Sequence, residues 1–165
     1  MEDKQDTKTI ALIDKLRSGW IQNGFSVRPG VDAKQIESFQ ARYSLQMPHD
    51  LRDYFLSVDG MEAGATDEDL FWFLPLKAVK SIPEELAHFG GSPDYRKIMQ
   101  TLSVPDRWFV IVDYMICSAV FAIRLSPKAG NTPVLRIDNG MQYQFVASSF
   151  ARFVGAYLAR PLSLL

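Results

Sequence analysis

Few residues in this chain of 165 have the chemistry of a nucleophile, a base or a soft metal ligand. Its single cysteine is Cys117, and its two histidines are His49 and His88. A cysteine and a histidine can form a nucleophile and base pair when the fold brings them together, but no local motif surrounds Cys117. The histidines are far apart in sequence and stand beside no cysteine pair, so their spacing does not predict a zinc site.

The glycines offer no phosphate-binding loop either. Gly90-Gly91 is not followed by the lysine and hydroxyl residue that such a loop requires. We therefore expect no catalytic residues, no metal site and no cofactor. A small hydrolase that uses Cys117 or a pair of carboxylates stays open as an alternative.

The acidic residues are distributed unevenly. From Asp53 to Pro75 there are six acids and no lysine or arginine, a formal charge of -6. Five of them lie between predicted elements: Asp59, Glu62, Asp67, Glu68 and Asp69. One interpretation is a solvated loop whose charges repel one another. The other is a docking surface whose negative field attracts a basic partner.

A second unusual segment is Tyr114-Met115-Ile116, which is apolar where a polar turn between two strands is expected. It fits either a continuous core strand or a turn that exposes apolar side chains, and such exposure indicates an interface. Asp113 and Tyr114 therefore join the five acids as candidate contacts for a protein partner.

Composition bounds the class of protein. With 47% hydrophobic and 22% charged residues, the chain is typical of a folded globular domain. A net charge of -1 gives no basis for binding nucleic acid or an anionic membrane. One cysteine cannot form an internal disulfide, and we recognise neither a secretory signal nor a spanning segment. We expect a cytoplasmic protein.

Apolar periodicity predicts three helices before any strand. Ile10, Ile13, Leu16 and Trp20 form the stripe of the first helix, which Gly24 closes. Asp32 and Gln35 form a capping box for the second. Met47-Pro48 breaks that helix, and Asp59-Gly60 is expected to end the third.

Strands follow, and a last helix closes the chain. The predicted strands are 70–74, 108–112, 117–125, 134–138 and 142–146, and Asn139-Gly140 suits a tight hairpin between the last two. Between the first two strands, a short helix begins near Ser81 and ends at Gly90-Gly91. Ser148 is expected to cap the closing helix. This order predicts one α+β domain over residues 1–165, with an antiparallel or mixed sheet of five to six strands and helices on one side.

The order of these motifs resembles the SUKH superfamily, which includes bacterial immunity proteins and fungal regulators of cell-wall synthesis. The resemblance rests on the segments Val31-Asp32, Leu45 to Leu51, Tyr54 to Leu56, Phe73 to Leu76, Trp108 to Asp113 and Val146 to Phe150, with Phe153 and Tyr157-Leu158. Two positions depart from the family pattern. Asp59-Gly60 replaces the commoner Asn-Gly, and Tyr114 to Cys117 stands where relatives tend to have small or polar residues.

The resemblance implies a non-catalytic protein-binding domain. In bacterial members it implies an immunity protein that binds and neutralises a toxin, often a nuclease or a deaminase. The acidic segment is compatible with a cognate toxin that has a basic surface. A regulatory scaffold that is not linked to a toxin is the alternative, and the sequence leaves the oligomeric state open.

Overall fold

The computed structural model describes residues 2–87, 96–128, 130–138 and 142–165. The helices are α1 Glu2–Gln22, α2 Ala33–Tyr43, α3 His49–Ser57, α4 Ile82–Ala87, α5 Arg96–Thr101 and α6 Phe150–Ala159. The strands are β1 Val27–Pro29, β2 Val58–Met61, β3 Phe71–Phe73, β4 Lys80–Ser81, β5 Trp108–Tyr114, β6 Ala119–Arg124, β7 Val134–Asp138 and β8 Gln142–Ala147.

The strands form two antiparallel sheets. The larger has the order β3-β5-β6-β7-β8, and β4 pairs with β5 alongside β3. The smaller consists of β1 and β2. The predicted α+β class is confirmed, and every strand pairing between described elements is antiparallel.

Aromatic side chains form much of the core between the sheet and helices α1, α3 and α6. The rings of Trp20 and Phe73 lie 4.8 Å apart, and those of Phe121 and Phe153 lie 5.2 Å apart. Such edge-on and tilted contacts add stability beyond the area they bury. Because Trp20 belongs to α1, this first helix packs on the same core as the closing helix.

Capping explains where two helices begin. Asp32 accepts a hydrogen bond from the Gln35 N–H at 2.8 Å, and the Gln35 side chain accepts one from the Asp32 N–H at 3.0 Å. The predicted capping box is thus confirmed. The expected cap of α6 at Ser148 is wrong by one residue, because Ser149 Oγ accepts the Arg152 N–H at 3.2 Å. The later start leaves Ala147 paired with Val134 in the sheet.

The predicted end of α3 is also wrong. The helix ends at Ser57, and Asp59-Gly60 lies inside strand β2 rather than at a helix cap. Asp59 faces inward, where its carboxylate accepts the Leu76 N–H at 2.6 Å and the Arg28 Nε–H at 3.1 Å. These long-range partners, which local sequence does not reveal, favour the strand. Gly60 has the positive φ that its residue type allows, at 67°.

The predicted hairpin strands β7 and β8 are confirmed and pair from Val134 to Ala147. The turn residues of this hairpin, Asn139-Gly140, lie outside the described residues, as do His88 and Gly90-Gly91. None of the described helices combines the length and apolar character needed to cross a bilayer.

Candidate protein-binding surface

The five acids of the 59–69 segment do not form one uniform solvated surface. Asp59 and Asp67 are buried, with only 4% and 6% of their surface exposed. Glu62 is exposed but shares Arg28 with Asp59, at 3.0 Å from the guanidinium. Glu68 is exposed and Asp69 is half-buried. The prediction that Asp59 and Asp67 are accessible partner contacts is therefore wrong, because both buried carboxylates accept hydrogen bonds that stabilise the fold.

Asp67 organises the loop from inside. One of its oxygens accepts the N–H groups of Asp69 and Phe71, both at 2.9 Å. The other accepts the Tyr157 hydroxyl, which itself accepts the Trp20 indole N–H at 3.0 Å. The loop is therefore fixed to α6 and α1 by a chain of buried hydrogen bonds.

Burial raises the pKa of the Asp67 carboxyl above its ordinary value, although its three hydrogen bonds favour the ionised form. The folded protein then binds this proton more tightly than the unfolded chain. We expect the contribution of Asp67 to stability to be greatest below its ordinary pKa and to fall as pH rises through the raised value.

Urea denaturation of the wild type and Asp67→Asn across the acid range checks this expectation. The amide of the variant can still accept both backbone N–H groups but does not titrate. The stability advantage of the wild type over the variant should shrink as pH rises. An advantage that stays constant or grows with pH would show that the pKa of the carboxyl is not raised.

The second candidate segment is a turn. Strand β5 ends at Tyr114 and β6 begins at Ala119, so the four residues from Met115 to Ser118 connect the two strands. Ile116 is 92% exposed, and Met115 is exposed as well. Of the two interpretations left open by the sequence, the structure selects the exposed turn for Met115 and Ile116, whereas Tyr114 is the half-buried last residue of β5.

This turn is strained. Met115, Ile116 and Cys117 all have positive φ, at 49°, 52° and 62°. A β-branched residue such as Ile116 is an outlier there because its Cβ crowds the backbone. Leu70 also has a positive φ, so four of the six such non-glycine residues in the described chain lie in these two segments. Strain of this kind clusters at functional sites, where it positions side chains.

Asp113 holds the turn in place. Its carboxylate accepts the Cys117 N–H at 3.0 Å and the Cys117 thiol at 3.1 Å. Burial, with a smaller contribution from the Asp113 carboxylate, raises the pKa of Cys117 to about 12. The thiol is therefore protonated at neutral pH and is a weak nucleophile. Tyr114 directly precedes the turn, and its ring packs against that of Phe71 with the ring centres 5.0 Å apart.

One hydrogen bond joins the two segments that the sequence had presented separately. The Met115 N–H donates to the Leu70 carbonyl oxygen at 3.0 Å, and Leu70 directly follows the acidic run. Leu70 is itself exposed. We name the resulting patch the tip surface, and it consists of Glu68, Asp69, Leu70, Met115 and Ile116.

A small hollow lies next to the tip surface on the sheet. Four of its lining residues face the same side of four neighbouring strands, namely Trp72, Asp113, Val120 and Ile137. Cys117 lines it as well. The cavity has a volume of about 280 Å³. Most of its lining residues are apolar, and Cys117, which directly follows Ile116, is the lining residue that belongs to the β5–β6 turn.

The structure thus gives different roles to the residues that were predicted as partner contacts. Glu68 and Asp69 lie on the tip surface, Glu62 binds Arg28, and Asp113 and Tyr114 support the turn from within. Sequence reasoning did not include Leu70, Met115 or Ile116 among the contacts. The signal for the last two was the apolar tripeptide itself, whereas nothing local distinguished Leu70 from a strand residue.

Comparison with known proteins identifies the fold family. Residues 30–156 match the model of the SMI1 / KNR4 family (SUKH-1). No curated protein matches the chain. The matched range includes α2 through most of α6, and with it both segments of the tip surface. On this match over most of its length, and on its antiparallel α+β fold, the chain belongs to the SMI1 / KNR4 family (SUKH-1).

Proposed function

We propose that this protein is an immunity protein of the cytoplasm, which binds a cognate toxin through the tip surface and blocks it without catalysis. Membership of the SUKH-1 family supports a protein-binding role. The observation that carries the proposal is the hydrogen bond between Met115 and Leu70, because it joins the exposed apolar residues of the β5–β6 turn to Leu70, which directly follows Glu68 and Asp69 in the chain.

The chemistry of the tip surface suits a partner with a basic rim around an apolar centre. Desolvated apolar side chains supply most of the binding energy at such interfaces. Charges at the rim mainly increase the rate of encounter and exclude partners of like charge. Nucleases fit this description, because they carry positive surface for their own substrate.

The state of Cys117 supports a non-catalytic role. Its thiol has a raised pKa and donates to Asp113, whereas a cysteine nucleophile needs a lowered pKa and a neighbouring base. Exposed His49 lies at the start of α3 and not in the β5–β6 turn. Among the residues that the structure describes, which do not include His88, the geometry therefore gives the alternative of a Cys117 hydrolase no support.

Charge reversal on the tip surface tests the proposal. We expect Glu68→Lys with Asp69→Lys to weaken binding to the product of the neighbouring gene by about tenfold or more, chiefly through slower association. Raising the salt concentration should weaken wild-type binding and affect the variant less. Asp67 is left unchanged, because its reversal would place a cation in the buried network.

The matched control is Asp14→Lys with Glu37→Lys, which changes the net charge equally at exposed positions of α1 and α2. Titration calorimetry should give wild-type affinity for this control. If both double variants lose affinity equally, the effect comes from net charge and the tip surface is not the interface. A bound neighbour that is not toxic would favour the regulatory scaffold instead.

A further inference from the structure

Strand β8 forms one edge of the six-stranded sheet in the described part of the chain. Its sequence, QYQFVA, contains no charge and no proline. Soluble proteins usually protect such an edge with lysine, proline or a bulge, because its free backbone groups can pair with another strand. β8 has one irregularity, at Val146 between the pairs Val134–Ala147 and Leu135–Phe145, so its regular edge runs from Gln142 to Phe145. This stretch contains no charge and no proline, so it suits pairing with another strand.

Exposed apolar side chains surround this edge. Phe145 is 60% exposed, and Tyr143 is exposed on the same face of the strand. On the other face, Arg136 donates to the Gln144 side chain at 3.3 Å and to the Leu164 carbonyl oxygen at 3.1 Å. The C-terminal turn therefore lies beside β8 and adds Leu162 and Leu165, which are also exposed.

We propose that β8 pairs with β8 of a second copy of this chain, antiparallel and across a twofold axis at Gln144. In this register Gln144 faces Gln144 of the second copy, and Tyr143 faces Phe145 twice. Aromatic pairs directly opposite one another stabilise antiparallel strands. The two sheets then join into one, and a twofold contact of this kind is the commonest form of oligomer.

The charges favour a second copy over the basic partner of the tip surface. β8 itself has no carboxylate, and Asp138 on the neighbouring strand is already bound to Arg136 at 2.8 Å. A basic protein therefore gains no electrostatic attraction here, whereas an uncharged strand meets its own copy without repulsion. Strands β6 and β7 separate this edge from β5, so each copy of the dimer keeps its tip surface accessible.

Disulfide trapping tests both the dimer and its register. In a Cys117→Ser background, Gln144→Cys should form an intermolecular disulfide under mild oxidation, because directly opposite residues lie within the range that a disulfide spans. Gln142→Cys is the matched control. The twofold axis places its two copies about four residues apart along the strands, which is too far.

Light scattering after gel filtration provides the second readout. The wild type should run as a dimer, and Phe145→Lys should run as a folded monomer that still binds the neighbouring gene product. A monomeric wild type would overturn the proposal. So would a dimer that survives Phe145→Lys, or a Gln142→Cys variant that is trapped as readily as Gln144→Cys. Binding of the toxin is a separate result, so the dimer and the proposed function can fail independently.

Discussion

Replacement of Gly60 by alanine is expected to lower the free energy of unfolding by about 3 kcal/mol or more. Gly60 has a positive φ of 67°, which strains any residue with a Cβ. An added Cβ would also lie 2.5 Å from the Phe73 carbonyl oxygen and 2.8 Å from backbone atoms of Leu74. Strand β2 would have to move away from β3.

Urea denaturation of three glycine-to-alanine variants separates the effect of the positive φ from the effect of the steric clash. Gly155→Ala in α6 meets no neighbour, so it should stabilise the protein by about 0.5–1 kcal/mol. Gly64→Ala has open space but a φ of 78°, so it should cost about 1 kcal/mol. If Gly60→Ala costs no more than Gly64→Ala, the close approach of β2 to the backbone of β3 is not real.

Asparagine at Ile116 is expected to weaken partner binding by about thirtyfold, which corresponds to about 2 kcal/mol for the loss of a central apolar contact. The same substitution should stabilise the free protein by about 1 kcal/mol, because asparagine tolerates the left-handed backbone that strains isoleucine. A structural role for Ile116 predicts the opposite change in stability.

Titration calorimetry measures the change in affinity, and urea denaturation of the free protein measures the change in stability of the same variant. The control is Ile10→Asn, which removes an exposed isoleucine from α1 and should leave affinity unchanged. Loss of stability with retained affinity in Ile116→Asn would show that the turn serves the fold and not the interface.

Local chemistry explains why much of the fold was predictable. The capping box of Asp32 and Gln35 and the strands of the β7–β8 hairpin each depend on residues within a few positions of one another. The residues that stabilise such local structures lie within the pattern itself. The pattern can therefore be recognised in the sequence without knowledge of distant contacts. The break expected at Met47-Pro48 comes earlier, because α2 already ends at Tyr43 with Ser44 in the left-handed conformation.

The errors occurred where distant residues decide the local structure. Asp59-Gly60 has the sequence of a helix cap, but Asp59 binds Leu76 and Arg28, and β2 pairs with β1. Asp67 was expected either in a solvated loop or on a docking surface, but it is buried, and Tyr157, 90 positions away, donates to it. No local pattern contains these partners.

The candidate surface was predictable only in pieces. The acidic run and the apolar tripeptide were each visible in the sequence, but the Met115 to Leu70 hydrogen bond that joins them spans 45 positions. It depends on the pairing of β3 with β5, which places Phe71 opposite Tyr114. The tip surface is therefore a property of the sheet register and not of either segment.

Protection of cells is the most direct test of the central claim, that this chain neutralises a toxin through the tip surface. Expression of the neighbouring gene product alone should stop growth, and co-expression of the wild-type chain should restore it. Ile116→Asn, present at an equal soluble level, should restore growth poorly or not at all. A harmless neighbour, or full protection by Ile116→Asn, would contradict the account.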